Sequence, residues 1–206
     1  MQRNRGYRFV FWGLVLSILH INIGEMEILP NFIAVLIIAK GISIVLEDNG
    51  NKYLLRARML CRIYAGVQGA AFVMEMVKEG LLLNNIDAVL NETLTLLLFA
   101  SNSILNIAFL FYLFMGSELL LFESRRDCFT LGREIDEYFT PERNLRKVAT
   151  KFAVLYTIGT VLMMGGLVFR NDFGILAVIG AIAAFAGTVW VASNIAYIRR
   201  QYPEYR

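Results

Sequence analysis

A single histidine, two cysteines and three prolines are scattered through this chain of 206 residues. One histidine, with no CxxC or comparable ligand spacing beside it, excludes the usual zinc geometries, and no metal site is expected. Cys61 and Cys128 both fall in segments assigned below to the cytoplasm, where thiols stay reduced, so no disulfide is expected either. Catalytic signatures are missing as well: there is no Walker A loop, no HExxH, no GxSxG and no Rossmann glycine pattern, and no cofactor is implied. Charge is scarce too. Only 18% of residues are charged against 57% hydrophobic, which is too greasy for a soluble domain of this size. The net charge of +3 does not indicate nucleic acid, because the basic residues lie between the hydrophobic runs, as topology determinants do.

What is there is a series of long apolar runs. A helix rises about 1.5 Å per residue and needs roughly 20 apolar residues to cross a hydrocarbon core of about 30 Å. The stretch 9–46 would measure roughly 57 Å as one helix, nearly two thicknesses, so it must fold back. Gly24 and Pro30 break helices, and Glu25 and Glu27 are costly in lipid; together they place a tight polar turn there. The same arithmetic predicts spans at 9–26, 28–46, 63–83, 93–115, 152–169 and 173–197. The charged segment 123–151 is expected to extend two helices beyond the membrane, with Thr140-Pro141-Glu142 as the helix start. The basic stretch 1–8 precedes an apolar run that lacks a small-residue cleavage site, which reads as an uncleaved first span.

Orientation follows from the lysines and arginines. All but Lys40, Lys78 and Arg170 lie on one side of this threading, which the positive-inside rule makes the cytoplasm. The expected fold is therefore an all-α, polytopic integral membrane bundle of about six transmembrane helices, forming one domain with both termini inside. Tyr7, Trp12, Tyr64, Tyr112, Tyr156, Trp190 and Tyr197 fall near the inner boundary, as an interfacial aromatic belt would.

Polar residues inside the spans mark where chemistry could sit. In "AGVQGAAFVMEMVKEGLLL", Gln68, Glu75 and Glu79 share a helical stripe, and Glu75 lies about 18 Å from the inner end of its span. An ionised acid at such depth costs roughly 2.5 to 3.5 kcal/mol unless it finds a partner, water or a proton. One reading pairs Glu75 with Lys78, with Lys78 and Glu79 reaching the headgroups. The other makes Glu75 the wall of a hydrated cavity. In the next span Thr95, Asn102, Asn106 and Ser117 lie along one stripe, either as hydrogen-bonded glue between helices or as the facing wall of that cavity. His20 shares a stripe with Gly13, Ser17 and Gly24, packed there or titrating opposite an acid. Lys40 is close enough to the inner boundary to snorkel. Gly159, Gly180, Ala184 and Gly187 read as close-packing seams.

The string "INIGEMEILPNFIAVLIIAKGI" resembles a segment near the first hairpin of small, uncharacterised polytopic membrane proteins of Gram-positive bacteria, in which an Ile-Leu-Pro-Asn-Phe-Ile-like stretch opens the second helix. It covers about the first quarter of the chain. The resemblance implies a bacterial plasma membrane and carries no activity. Two functions follow from the residues. One is a small solute or ion transporter, or its membrane-embedded binding subunit, with a polar site in the outer half built from Glu75, His20, Asn102 and Asn106. The other is a non-transporting accessory or sensor subunit that docks another membrane protein. An intramembrane enzyme ranks behind both, since one histidine and one deep acid do not make a convergent catalytic set.

Overall fold

The computed structural model describes residues 2–18, 22–23, 26–27, 30–47, 50–80, 88–130, 144–168 and 170–202, with side chains at all of these except 22–23, 26–27, 75–80, 88–92, 125–130, 167 and 170–173. Six helices account for nearly all of it: α1 (Gln2–Ile18), α2 (Asn31–Leu46), α3 (Lys52–Gly80), α4 (Ala88–Thr130), α5 (Leu145–Val168) and α6 (Arg170–Arg200). Between α1 and α2 lies a two-residue antiparallel ladder of β1 (Asn22–Ile23) and β2 (Met26–Glu27), in which Asn22 faces Glu27 and Ile23 faces Met26. The chain therefore reverses where the polar turn was expected. The flanking helices stop short of it, at Ile18 and Asn31. Pro30 occupies the N-cap of α2, where its missing N–H costs nothing, and its carbonyl accepts from the Ile33 N–H at 2.9 Å.

Side-chain caps set two other helix starts. Asn51 Oδ1 accepts from the backbone N–H groups of Tyr53 and Leu54, while its amide donates to the Gly116 carbonyl of α4. Asn144 Oδ1 accepts from the Lys147 N–H, and Glu118 of α4 accepts from the Arg146 N–H, so α5 begins at Leu145 with an acid against its positive end. The start expected at Thr140-Pro141-Glu142 lies outside the described residues.

Each helix packs against the next in sequence, and α6 packs back against α1, so the six form a closed up-and-down ring. Small residues bring two neighbouring pairs together. A Cβ on Gly41 of α2 would lie 2.7 Å from the Gly6 carbonyl oxygen of α1, and one on Gly159 of α5 would lie 3.0 Å from the Gly180 carbonyl oxygen of α6. The α5–α6 contact is the seam expected from its glycines.

Among the described residues three helices are long and apolar enough to cross a membrane: Thr93–Ser124 within α4, Leu145–Gly166 within α5 and Gly174–Arg200 within α6; Asn31–Leu46 is apolar but shorter. Their outer faces carry aliphatics that water would not tolerate in such density, among them Ile104 (67% exposed), Val161 (62%) and Ile175 (70%). Lys40 is exposed, with its ammonium 5.6 Å from the centre of the Phe9 ring.

The core is lopsided. Arg3, Arg5, Arg8, Lys52, Arg56, Lys147, Arg199 and Arg200 collect at one end of the ring, and the fully buried Tyr7, Ile42, Leu54, Phe114, Leu145 and Ile195 fill its interior there. Tyr7 donates to Ser117 Oγ at 2.7 Å, Ser117 donates on to the Leu113 carbonyl, and the Tyr7 ring stacks on Tyr202 with centroids 5.7 Å apart. Arg3 donates to Ser124 Oγ at 2.6 Å and lies over the Tyr202 ring, so the two ends of the described chain meet on α4.

Candidate functional site

Above this oily plug the interior changes character. Tyr64 sits near the middle of α3, twelve residues from Lys52 and sixteen from Gly80, or about 18 and 24 Å by helical rise. Its ring stacks on Phe109 of α4 with centroids 5.9 Å apart. Just below, the Cys61 thiol donates to the Val35 carbonyl of α2 at 3.3 Å. At this level lies a cavity of ≈ 230 Å³ to which all six helices contribute: Ser17 from α1, Asn31 from α2, Tyr64 from α3, Asn106 from α4, Tyr156 from α5 and Thr188 from α6 supply its polar wall. Leu14, Ile38 and Phe109 are among the apolar residues between them. Since a water occupies about 30 Å³ in the liquid, this space holds a few waters or one small molecule.

The polar wall is internally ordered. Gln68, one turn from Tyr64, donates its amide to the Tyr64 hydroxyl at 3.3 Å. Asn31 and Asn106 share this wall with Tyr64 and Tyr156. Ser17 and Thr188 donate to carbonyls of their own helices, Leu14 at 2.8 Å and Ala184 at 2.9 Å. Among the described residues Asn31 Oδ1 has no hydrogen-bond partner although it is buried, and no lining residue is charged.

Beyond the cavity, away from the basic end, no large hydrophobic is buried among the described residues. The buried positions there are Pro30, Ser103, Thr160 and the glycines Gly159, Gly166 and Gly180. Thr160 and Ser103 face one another across α5 and α4 with oxygens 3.4 Å apart. Among the described residues the ring is stoppered by large side chains at one end and buries small and polar groups towards the other.

Of the residues expected to form a site, Asn106 lines the cavity. Asn102 lies one turn further on, outside the lining, with a buried Oδ1 that has no partner among the described residues. Glu75, Lys78 and Glu79 belong to α3, but their side chains are outside the described residues; the Glu75 backbone is eleven residues past Tyr64, about 16 Å by helical rise. His20 lies outside the described residues altogether. The stripe containing Ser117 leads instead to the Tyr7 hydroxyl in the plug.

Three of the aromatics expected near the inner boundary face the interior of the ring: Tyr7 and Tyr64 are buried at 0% and 7% exposure, and Tyr156 lines the cavity. Trp12, at 51% exposure, keeps an outward position. Asn31 and Tyr64 were not recognised as site residues. The available signal was the Tyr64–Gln68 pair at four-residue spacing and an amide directly after a proline. Among the described residues no three His, Cys, Asp or Glu side chains converge, and Cys61 is a buried free thiol.

The geometry thus gives an all-helical ring, compatible with a membrane protein, around a small polar cavity. No protein-family model, curated protein or solved structure matches the chain.

Proposed function

We propose that this chain is a multi-pass plasma-membrane protein of about six spans, both termini cytoplasmic, that takes a small solute into its ring from the side opposite the basic end. It acts as a compact transporter or as the membrane-embedded binding subunit of one. The observation that carries this reading is the cavity at mid-bundle, walled by a polar residue from every helix. Buried hydrogen-bonding groups in an apolar bundle are costly unless something satisfies them, and a protein that only needed to pack would fill the space with aliphatics. The plug of large side chains below it and the small, polar interior above it suit a vessel entered from one side.

The test is to purify the protein from native membrane in mild detergent and identify co-purifying small molecules by mass spectrometry. Ala184 lines the cavity, so Ala184→Phe fills it. The expected result is a bound solute that is lost in Ala184→Phe while helix content and monodispersity stay unchanged. A solute that survives the substitution, or a preparation that carries only a partner protein, overturns the reading in favour of an accessory subunit.

A further inference from the structure

The hydrogen-bond order of the cavity wall specifies what it accepts. Gln68 donates to the Tyr64 oxygen, and Asn31 and Asn106 line the same cavity as Tyr64 and Tyr156. A phenol that accepts from an amide still has its own O–H to give, and an asparagine that donates through nitrogen still has its carbonyl oxygen free to accept. Asn31 Oδ1 is such an acceptor, buried and without a partner among the described residues. Ser17 and Thr188 use their hydrogens on their own helices and leave oxygen lone pairs. The wall therefore offers donors on the two phenols and acceptors on the amides and hydroxyls, with no formal charge among its described lining residues.

An ion brought here would exchange its hydration shell for a neutral wall. The desolvation of a charge without a counter-charge costs several kcal/mol even after relaxation. A neutral molecule incurs no such cost and satisfies the wall if it carries both kinds of hydrogen-bonding group. We propose that the cavity is a site for small uncharged molecules bearing both donors and acceptors, such as short polyols and simple amides, oriented between Tyr64 and Tyr156. This deepens, and rests on, the solute-handling reading above.

The test uses the full chain in proteoliposomes with glycerol and urea as neutral probes and radioactive sodium and chloride as charged ones. Tyr64→Phe and Tyr156→Phe keep both rings, including the stack on Phe109, and remove only the hydroxyls. Tyr112→Phe, outside the lining, is the control. Expected are neutral-probe fluxes at least about tenfold above protein-free vesicles, ion fluxes at background, and a loss of about fivefold or more in each cavity variant but not in the control. Ion flux without neutral flux overturns this inference and leaves the solute-handling reading standing. Neutral flux indifferent to both tyrosine hydroxyls also overturns it. If no probe moves, transport falls, and the site is read from binding: protection by urea of a Thr188→Cys thiol against methyl methanethiosulfonate, abolished by Tyr64→Phe, supports the assignment, and absence of protection overturns it.

Discussion

Tyr202 lies outside the helices yet is held between Tyr7 and Arg3, with its backbone carbonyl accepting from the Asn4 amide. Burial, against the opposing effect of Arg3 and Ser124, raises the pKa of its hydroxyl above the ordinary 10.0. The unfolded chain thus loses this proton before the folded one does. The stabilisation is complete below pH 10.0 and is lost as pH climbs through the higher folded value. Unfolding half-lives in detergent between pH 8 and 11 are expected to fall more steeply for the wild type than for Tyr202→Phe; parallel curves would remove Tyr202 from the balance. Other residues differ in how legible they are from sequence. Asn106 declares itself, because an amide among leucines and phenylalanines has few places to go. Tyr64 and Tyr156 do not, since a tyrosine suits a membrane boundary and a packed interior alike.

At the scale of elements, the approach of α1 to α2 carries a test of opposite signs. Helix propensity alone makes Gly41→Ala stabilising by about 1 kcal/mol. The Gly6 carbonyl, 2.7 Å from where the new Cβ would sit, makes it an overpacking substitution that costs about 1 to 3 kcal/mol. Thermal unfolding in detergent is expected to show the loss, and a gain would mean that these helices are not in contact. Hydrophobic runs announced the helices, since a backbone in apolar surroundings must satisfy itself. Their ends were less readable. Asn144 caps α5 with help from Glu118, a residue 26 positions earlier, and nothing in the local sequence advertises that partnership. The first pair is also shorter than its apolar stretch: at 17 and 16 residues, α1 and α2 reach about 24 to 26 Å, below the roughly 30 Å of a hydrocarbon core.

For the molecule as a whole, the gathering of arginines and lysines at one end is the strongest topological signal. If that end is cytoplasmic, Arg133→Cys in a cysteine-free background reacts with an impermeant maleimide only after cells are opened. Labelling of intact cells would invert the threading and with it the side from which the cavity is entered. The ring order could not be read from sequence, because apolar helices look much alike on every face and the closure of α6 on α1 joins segments about 190 residues apart. Asn106 was legible as a polar residue inside the bundle, but the level of the cavity it lines was not. That level is set where phenols from α3 and α5 meet amides from α2 and α4, a convergence that only tertiary packing creates.

The seal between α1 and α6 has a consequence for biosynthesis. α1 finds α6 only after the four helices between them have been made, so during translation Asn4 and Tyr7 wait without their native partner at Tyr202. A circular permutant that joins the present ends through a short linker and opens the chain between α4 and α5 would bring those two helices together early, and its yield in membranes would measure how long that wait burdens the cell.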